Sequence, residues 1–109
     1  MRALMLIIGA AFALAACGPT VGDACTTASD CTGKICINQD FTPGGYCSET
    51  CDPAKNDSCP TGSVCVRNAL GGGAHACFHT CNTPSDCRSG YSCRTTNGSP
   101  LICVGPAGI

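Results

Sequence analysis

The chain has no tryptophan, only two tyrosines and three phenylalanines. Aromatic side chains dominate core burial, so a large aromatic core is excluded. Charge is scarce as well: six Lys and Arg against seven Asp and Glu, a formal net charge of −1 over 109 residues. The basic footprint of a nucleic-acid binder is therefore absent. Long apolar runs are missing too. The apolar stretch Ala3–Ala16 has 14 residues, short of the about 20 that a transmembrane helix needs. No C-x-x-C and no G-x-S-x-G occurs, and Gly71-Gly72-Gly73 lacks the Lys of a phosphate-binding loop. These absences remove the usual signatures of redox, hydrolase and nucleotide chemistry. Beyond residue 16 no segment shows helical periodicity.

What is abundant is cysteine: 13 residues, about 12% of the chain, above the 8–10% that marks a disulfide scaffold in a short secreted chain. Thirteen is odd, so at least one cysteine needs another use. The N-terminus suggests which. Arg2 is followed by the apolar stretch and by small residues at its end, the layout of a signal peptide over residues 1–16. Leu14-Ala15-Ala16-Cys17 resembles the lipobox of bacterial lipoproteins. The resemblance implies diacylglycerol on the Cys17 sulfur, cleavage before Cys17, and an acyl chain such as palmitate on the new amine. A thiolate is the nucleophile such chemistry requires. Two or more acyl chains hold a protein to a membrane where one does so only marginally. Gly18, where a Gram-negative retention signal would have Asp, favours the outer membrane. Ala13-Leu14-Ala15 is also an acceptable A-x-A site, and cleavage there would release a soluble secreted protein.

From Cys17 onward there are 93 residues, with five basic and seven acidic side chains once Arg2 is removed, a net charge of −2. Leu, Ile, Val and Phe number 12 of these 93. Such a core cannot offset backbone entropy of about 1–2 kcal/mol per residue, so cross-links are expected to supply the difference.

The remaining twelve cysteines fall into three sets of four. Cys25, Cys31, Cys36 and Cys47 have gaps of 5, 4 and 10 residues; Cys51, Cys59, Cys65 and Cys77 have gaps of 7, 5 and 11; Cys81, Cys87, Cys93 and Cys103 have gaps of 5, 5 and 9. Residues 25–47, 51–77 and 81–103 are thus three copies of one frame, with a lipidated Cys and tether at 17–24 and a tail at 104–109. Asp and Ser precede the second Cys of each copy (Ser29-Asp30, Asp57-Ser58, Ser85-Asp86), and Gly33, Gly62 and Gly90 follow it. Asp and Ser start turns and Gly supplies positive φ, so the second and third cysteines are expected to flank a tight turn. The third gaps hold Pro43-Gly44-Gly45, Gly71-Gly72-Gly73 and Asn97-Gly98-Ser99-Pro100. Short apolar pieces such as Lys34-Ile35-Cys36-Ile37, Val64-Cys65-Val66 and Leu101-Ile102-Cys103-Val104 flank them, which predicts one minimal β-hairpin per copy.

The gaps resemble the first four cysteines of an EGF-like module, and the Ser-Asp-Cys and Cys-x-x-Gly details are similar to Cys-rich lipoprotein repeats and the Dickkopf N-terminal region. The third EGF bridge has no counterpart, because the next Cys opens a new copy. The fold class expected is therefore small and disulfide-rich: three short EGF-like four-Cys repeats with minimal hairpins, plus a signal-peptide helix. Four cysteines allow three connectivities. The EGF pattern implies first–third and second–fourth pairing: Cys25–Cys36, Cys31–Cys47, Cys51–Cys65, Cys59–Cys77, Cys81–Cys93 and Cys87–Cys103.

His75 and His79 have H-x₃-H spacing around Cys77, a zinc-like pattern. After an export signal the cysteines are expected to be oxidised, and both histidines read as exposed loop residues. The EGF-like resemblance implies calcium only where acidic residues precede a first Cys, and only Asp23 and Glu49 stand there. Asp30, Asp57 and Asp86 read as turn formers. No catalytic residues, metal site or cofactor are expected, apart from the covalent lipid on Cys17. The expected function is a non-catalytic, monomeric cell-envelope lipoprotein that is membrane-anchored and contacts a protein or glycan through its third-gap loops. A protective coat component without a specific ligand is the other class.

Overall fold

The computed structural model describes residues 20–55, 57–95 and 100–107. The signal segment 1–16, Cys17 and the Asn97-Gly98-Ser99 turn lie outside the described residues. Each copy forms one antiparallel hairpin: β1 (Ile35–Ile37) with β2 (Tyr46–Ser48), β3 (Ser63–Gly71) with β4 (Ala74–His79), and β5 (Ser92–Arg94) with β6 (Ile102–Val104). Within the described residues no helix is long and apolar enough to cross a membrane.

The register places the third and fourth cysteines of each copy opposite one another: Cys36 faces Cys47, Cys65 faces Cys77, and Cys93 faces Cys103. None of these facing pairs is bonded. Six disulfides instead join Cys25–Cys36, Cys31–Cys47, Cys51–Cys65, Cys59–Cys77, Cys81–Cys93 and Cys87–Cys103. Strand side chains alternate between faces. One face of each hairpin therefore carries its two cysteines and straps the preceding arm to the sheet. The other face carries the residues on either side of each cysteine. Ile37, Tyr46, Val66, Ala76, Phe78, Ile102 and Val104 all lie on that second face and are buried together, with Ile35 and Val64 packed against them. The three copies thus share one apolar core and are not beads on a string.

The three-residue joints between copies, Ser48-Glu49-Thr50 and Phe78-His79-Thr80, are part of the packing. Ser48 donates its hydroxyl to Cys77 O at 2.7 Å, and Cys77 N–H donates to Glu49 O at 3.1 Å. Thr80 bridges to Ile102, and Cys81 N–H donates to Leu101 O. Each joint runs beside the next hairpin, so consecutive copies are hydrogen-bonded through backbone.

The turns follow the expected residues in part. Asp30 accepts the N–H groups of Thr26 and Thr27, and Asp86 those of Asn82 and Thr83, in matching 3₁₀ turns Ala28–Asp30 and Pro84–Asp86. In the second copy Ser58 does this work, not Asp57. Its hydroxyl accepts Asp52 N–H at 3.2 Å and donates to Asp52 O at 2.9 Å. The residue directly before the second Cys makes these bonds in every copy, and in the second copy Asp and Ser stand in reversed order. Gly62 and Gly90 adopt positive φ (89° each), but in the first copy the left-handed residue is Lys34 (φ 65°). Gly33 is needed for a different reason: a Cβ there would run into Ser48 O and lie 2.7 Å from Glu49 Cβ.

The β3–β4 hairpin is the longest. Gly72 (φ 62°) and Gly73 (φ 85°) form its tip, the paired positive φ that a two-residue hairpin turn requires. Between the facing pairs Val66/Ala76 and Gly71/Ala74 the register shifts, so Arg67–Leu70 bulge opposite His75.

Candidate functional site

Of the expected contact loops, the three third-gap segments differ sharply. The first, between β1 and β2, is clamped to the third copy. Arg88 donates from Nη2 to Pro43 O at 2.7 Å and to Gly45 O at 2.6 Å, and from Nη1 to Gly22 O at 3.0 Å. Tyr91 donates its hydroxyl to Pro43 O at 3.0 Å, and Gly105 N–H donates to Phe41 O at 2.6 Å. This loop is therefore held in place as a structural element, although Asn38–Asp40, Pro43 and Gly44 stay exposed. The second, at Arg67–Gly73, projects: Arg67, Asn68, Leu70 and Gly71–Gly73 are exposed, and Ala69 alone among them turns into the core. Its shape is held locally by Asn68, whose N–H donates to His75 Nδ1 at 2.8 Å and whose Oδ1 accepts Gly73 N–H at 2.7 Å. Most of the third loop lies outside the described residues.

The histidines expected in a loop sit in β4. Strand alternation puts His75, Cys77 and His79 on one face. His75 Nδ1 is occupied by Asn68 N–H, and His79 Nδ1 lies 2.7 Å from Thr80 O. In each copy three sulfurs, such as those of Cys81, Cys87 and Cys103, lie within 4.8 Å of one another. All belong to disulfides, and a disulfide sulfur offers a metal no thiolate. Asp23 and Glu49, the acidic residues preceding cysteines, are spread apart. Asp23 caps Thr20 N–H at 2.8 Å, and Glu49 gives its carbonyl to Cys77 N–H.

The segment expected as a loose tether is docked from Thr20 onward. Gly22 N–H donates to Cys47 O, Cys47 N–H donates to Asp23 O, both at 2.9 Å, and Val21 packs against the core. Beside it opens a cleft of about 180 Å³ between this segment and the third copy, lined by Gly22, Asp23, Tyr46, His79, Asp86 and Arg88 among others. Tyr46 and Tyr91 line it and belong to an aromatic stack. Tyr46 lies 4.9 Å from Phe78 and 5.9 Å from Tyr91, ring centre to ring centre, and the Arg88 guanidinium sits 4.4 Å over the Tyr91 ring.

The electrostatics of the cleft are set by burial and backbone. Burial pushes the Tyr46 phenol far above its ordinary value, against the pull of the His79 N–H, so it stays protonated. Burial also raises Tyr91, with the Arg88 charge opposing. The N–H groups of Asn82 and then Thr83 hold Asp86 below the usual carboxylate range. Nothing in the local sequence pattern marks Tyr46, Arg88 and Tyr91 as a group. The one available signal is that both tyrosines stand within a few residues of a cysteine strand in a chain otherwise poor in aromatics. No family model, curated protein or solved structure matches this chain.

Proposed function

We propose that the chain is a non-catalytic lipoprotein of a bacterial cell envelope, anchored through lipid on Cys17, whose disulfide-rich domain is a binding module. The observation that supports this best is the use of cysteine. The twelve cysteines from Cys25 to Cys103 are all joined to one another, so no cysteine of this chain is left for Cys17. A thiol released from disulfide duty, directly after Leu14-Ala15-Ala16, is what lipobox modification consumes. The first–third and second–fourth pairing also favours the EGF-like reading of each copy. Gly18 favours the outer membrane.

The docked segment changes the geometry of the anchor. Only Gly18 and Pro19 separate Cys17 from Thr20, a reach of at most about 11 Å. The expected seven-residue tether would have allowed about 25 Å. The domain is therefore held against the bilayer surface, with the β3–β4 tip as its projecting feature.

Metabolic labelling with a palmitate analogue tests the anchor. Wild-type protein should carry the label and partition with membranes, and Cys17→Ser should lose both. Unlabelled wild type, or equal membrane association of the variant, would refute it.

A further inference from the structure

We propose that the cleft beside the docked Val21–Asp23 segment binds a neutral saccharide unit through the Tyr46 hydroxyl and the Asp23 and Asp86 carboxylates. This deepens the reading of the domain as a binding module and rests on it.

The argument begins with one proton. Tyr46 is 1% exposed, and its oxygen accepts the N–H of His79 at 2.8 Å. Being protonated, the phenol also has a hydrogen to give. Among the described residues no acceptor takes it, whereas Tyr91 beside it donates to Pro43 O. A buried donor without an acceptor costs free energy and calls for a partner. Gly22 lines the cleft at this point. A Cβ on it would come within 3.7 Å of the Tyr46 hydroxyl and 3.6 Å of His79 Cβ, so the absent side chain keeps the hydroxyl reachable.

The lining then selects the partner. Asp23 and Asp86 use Oδ2 to cap backbone N–H groups, and their Oδ1 atoms make no bond among the described residues. Arg88 spends Nη1 and Nη2 on the carbonyls of Gly22, Pro43 and Gly45. Its guanidinium is pinned on these three carbonyls. Two carboxylates against one guanidinium disfavour an anion. A cationic amine would satisfy the carboxylates but has no lone pair for the Tyr46 proton. A hydroxyl both donates and accepts, so neighbouring hydroxyls meet both needs. With His79 Nδ1 on Thr80 O, its Nε2 is the ring's remaining acceptor. About 180 Å³ holds about six waters at about 30 Å³ each, room on the scale of one sugar ring and not of an oligomer.

The test uses the full oxidised, lipidated chain in detergent micelles. Ligand-observed NMR and calorimetry are run with methyl glucoside, methyl galactoside and N-acetylglucosamine. Acetate, methylammonium and N-methylacetamide are the small-molecule controls. At least one sugar should bind with a millimolar Kd, as expected of so small a contact, and better than every control. Tyr46→Phe keeps the buried ring and should weaken it roughly five- to tenfold. Asp86→Asn keeps a cap for Asn82 and Thr83 and should weaken it similarly, giving a second route if Tyr46→Phe fails to fold. Binding unchanged in either folded variant, tighter binding of any control, or no sugar binding would overturn the proposal. A lipidated chain that bound no sugar would sink this inference alone. An unlipidated chain that bound one would sink only the anchor.

Discussion

Cys36 and Cys47 face one another across the β1–β2 ladder, yet each is bonded to a cysteine of the arm before the hairpin. The same relationship recurs in the other two copies. It divides every hairpin into a cross-linked face and an apolar face. The bridges fasten arms to sheets, and the opposite faces fasten the copies to each other.

The bridges should therefore be worth a large share of the stability. Replacing Cys59 and Cys77 together by Ala opens the bridge with the longest sequence separation, 18 residues. The loss expected is about 3 kcal/mol. For a domain of this size that lowers Tm by roughly 12–24 °C, measurable by circular dichroism with the other bridges intact. Full reduction with dithiothreitol should unfold the domain.

Arg88 joins the third copy to the first by charge-assisted bonds to three carbonyls. Arg88→Ala should cost about 2–3 kcal/mol and speed hydrogen exchange at Gly22 and Gly45. Arg88→Lys keeps the charge but loses the fork and should recover less than half of the loss. Equal thermal stability of all three proteins would contradict the clamp.

Gly33 and its exposed neighbour Thr32 make a paired test. Gly33→Ala drives a methyl into Ser48 O and Glu49 Cβ and should destabilise by about 1–3 kcal/mol. Thr32→Ala should stay within about 0.5 kcal/mol. Chemical denaturation separates the two outcomes.

Acid should weaken the fold through Asp30 and Asp86. The N–H groups of Thr27 and Thr26 hold Asp30 below its ordinary 3.8, and those of Asn82 and Thr83 do the same for Asp86. A depressed folded-state pKa means that the stabilisation is complete above 3.8 and is lost as pH falls below it through the folded value. Melting temperature should be level from neutral pH to about 5 and decline below 3.8. Asp30→Asn with Asp86→Asn should flatten that decline; an unchanged acid limb would count against these caps.

Much of this was legible in the sequence because spacing is a backbone property. The hairpin in each third gap followed from glycines flanked by short apolar pieces, and Gly72-Gly73 forms the tip its composition implies. The turns were legible as turns, but not always by residue. Asp57 yields to Ser58 because the two stand in reversed order in the second copy, so that Ser58 holds the place directly before the Cys that Asp30 and Asp86 hold. The left-handed position is the third residue after the second Cys in every copy, and in the first copy that residue is Lys34, with the Gly one place earlier. The shared core was encoded in residue–Cys–residue triplets such as Ile35-Cys36-Ile37, whose alternation puts the flanking residues opposite the cysteines. What spacing could not carry was long range. Arg88 reaches Pro43 across 45 residues, and Tyr46 meets His79 across 33. Such contacts depend on how three hairpins pack, which no local pattern states.

Intact mass before and after thiol alkylation tests the central division of the cysteines most directly. The account predicts a chain beginning at Cys17 and heavier by its acyl chains. It should be unreactive to alkylation as isolated, and should take up twelve alkyl groups after reduction. A chain beginning at Ala16, a Cys17 that alkylates without reduction, or a free thiol among Cys25–Cys103 would contradict it.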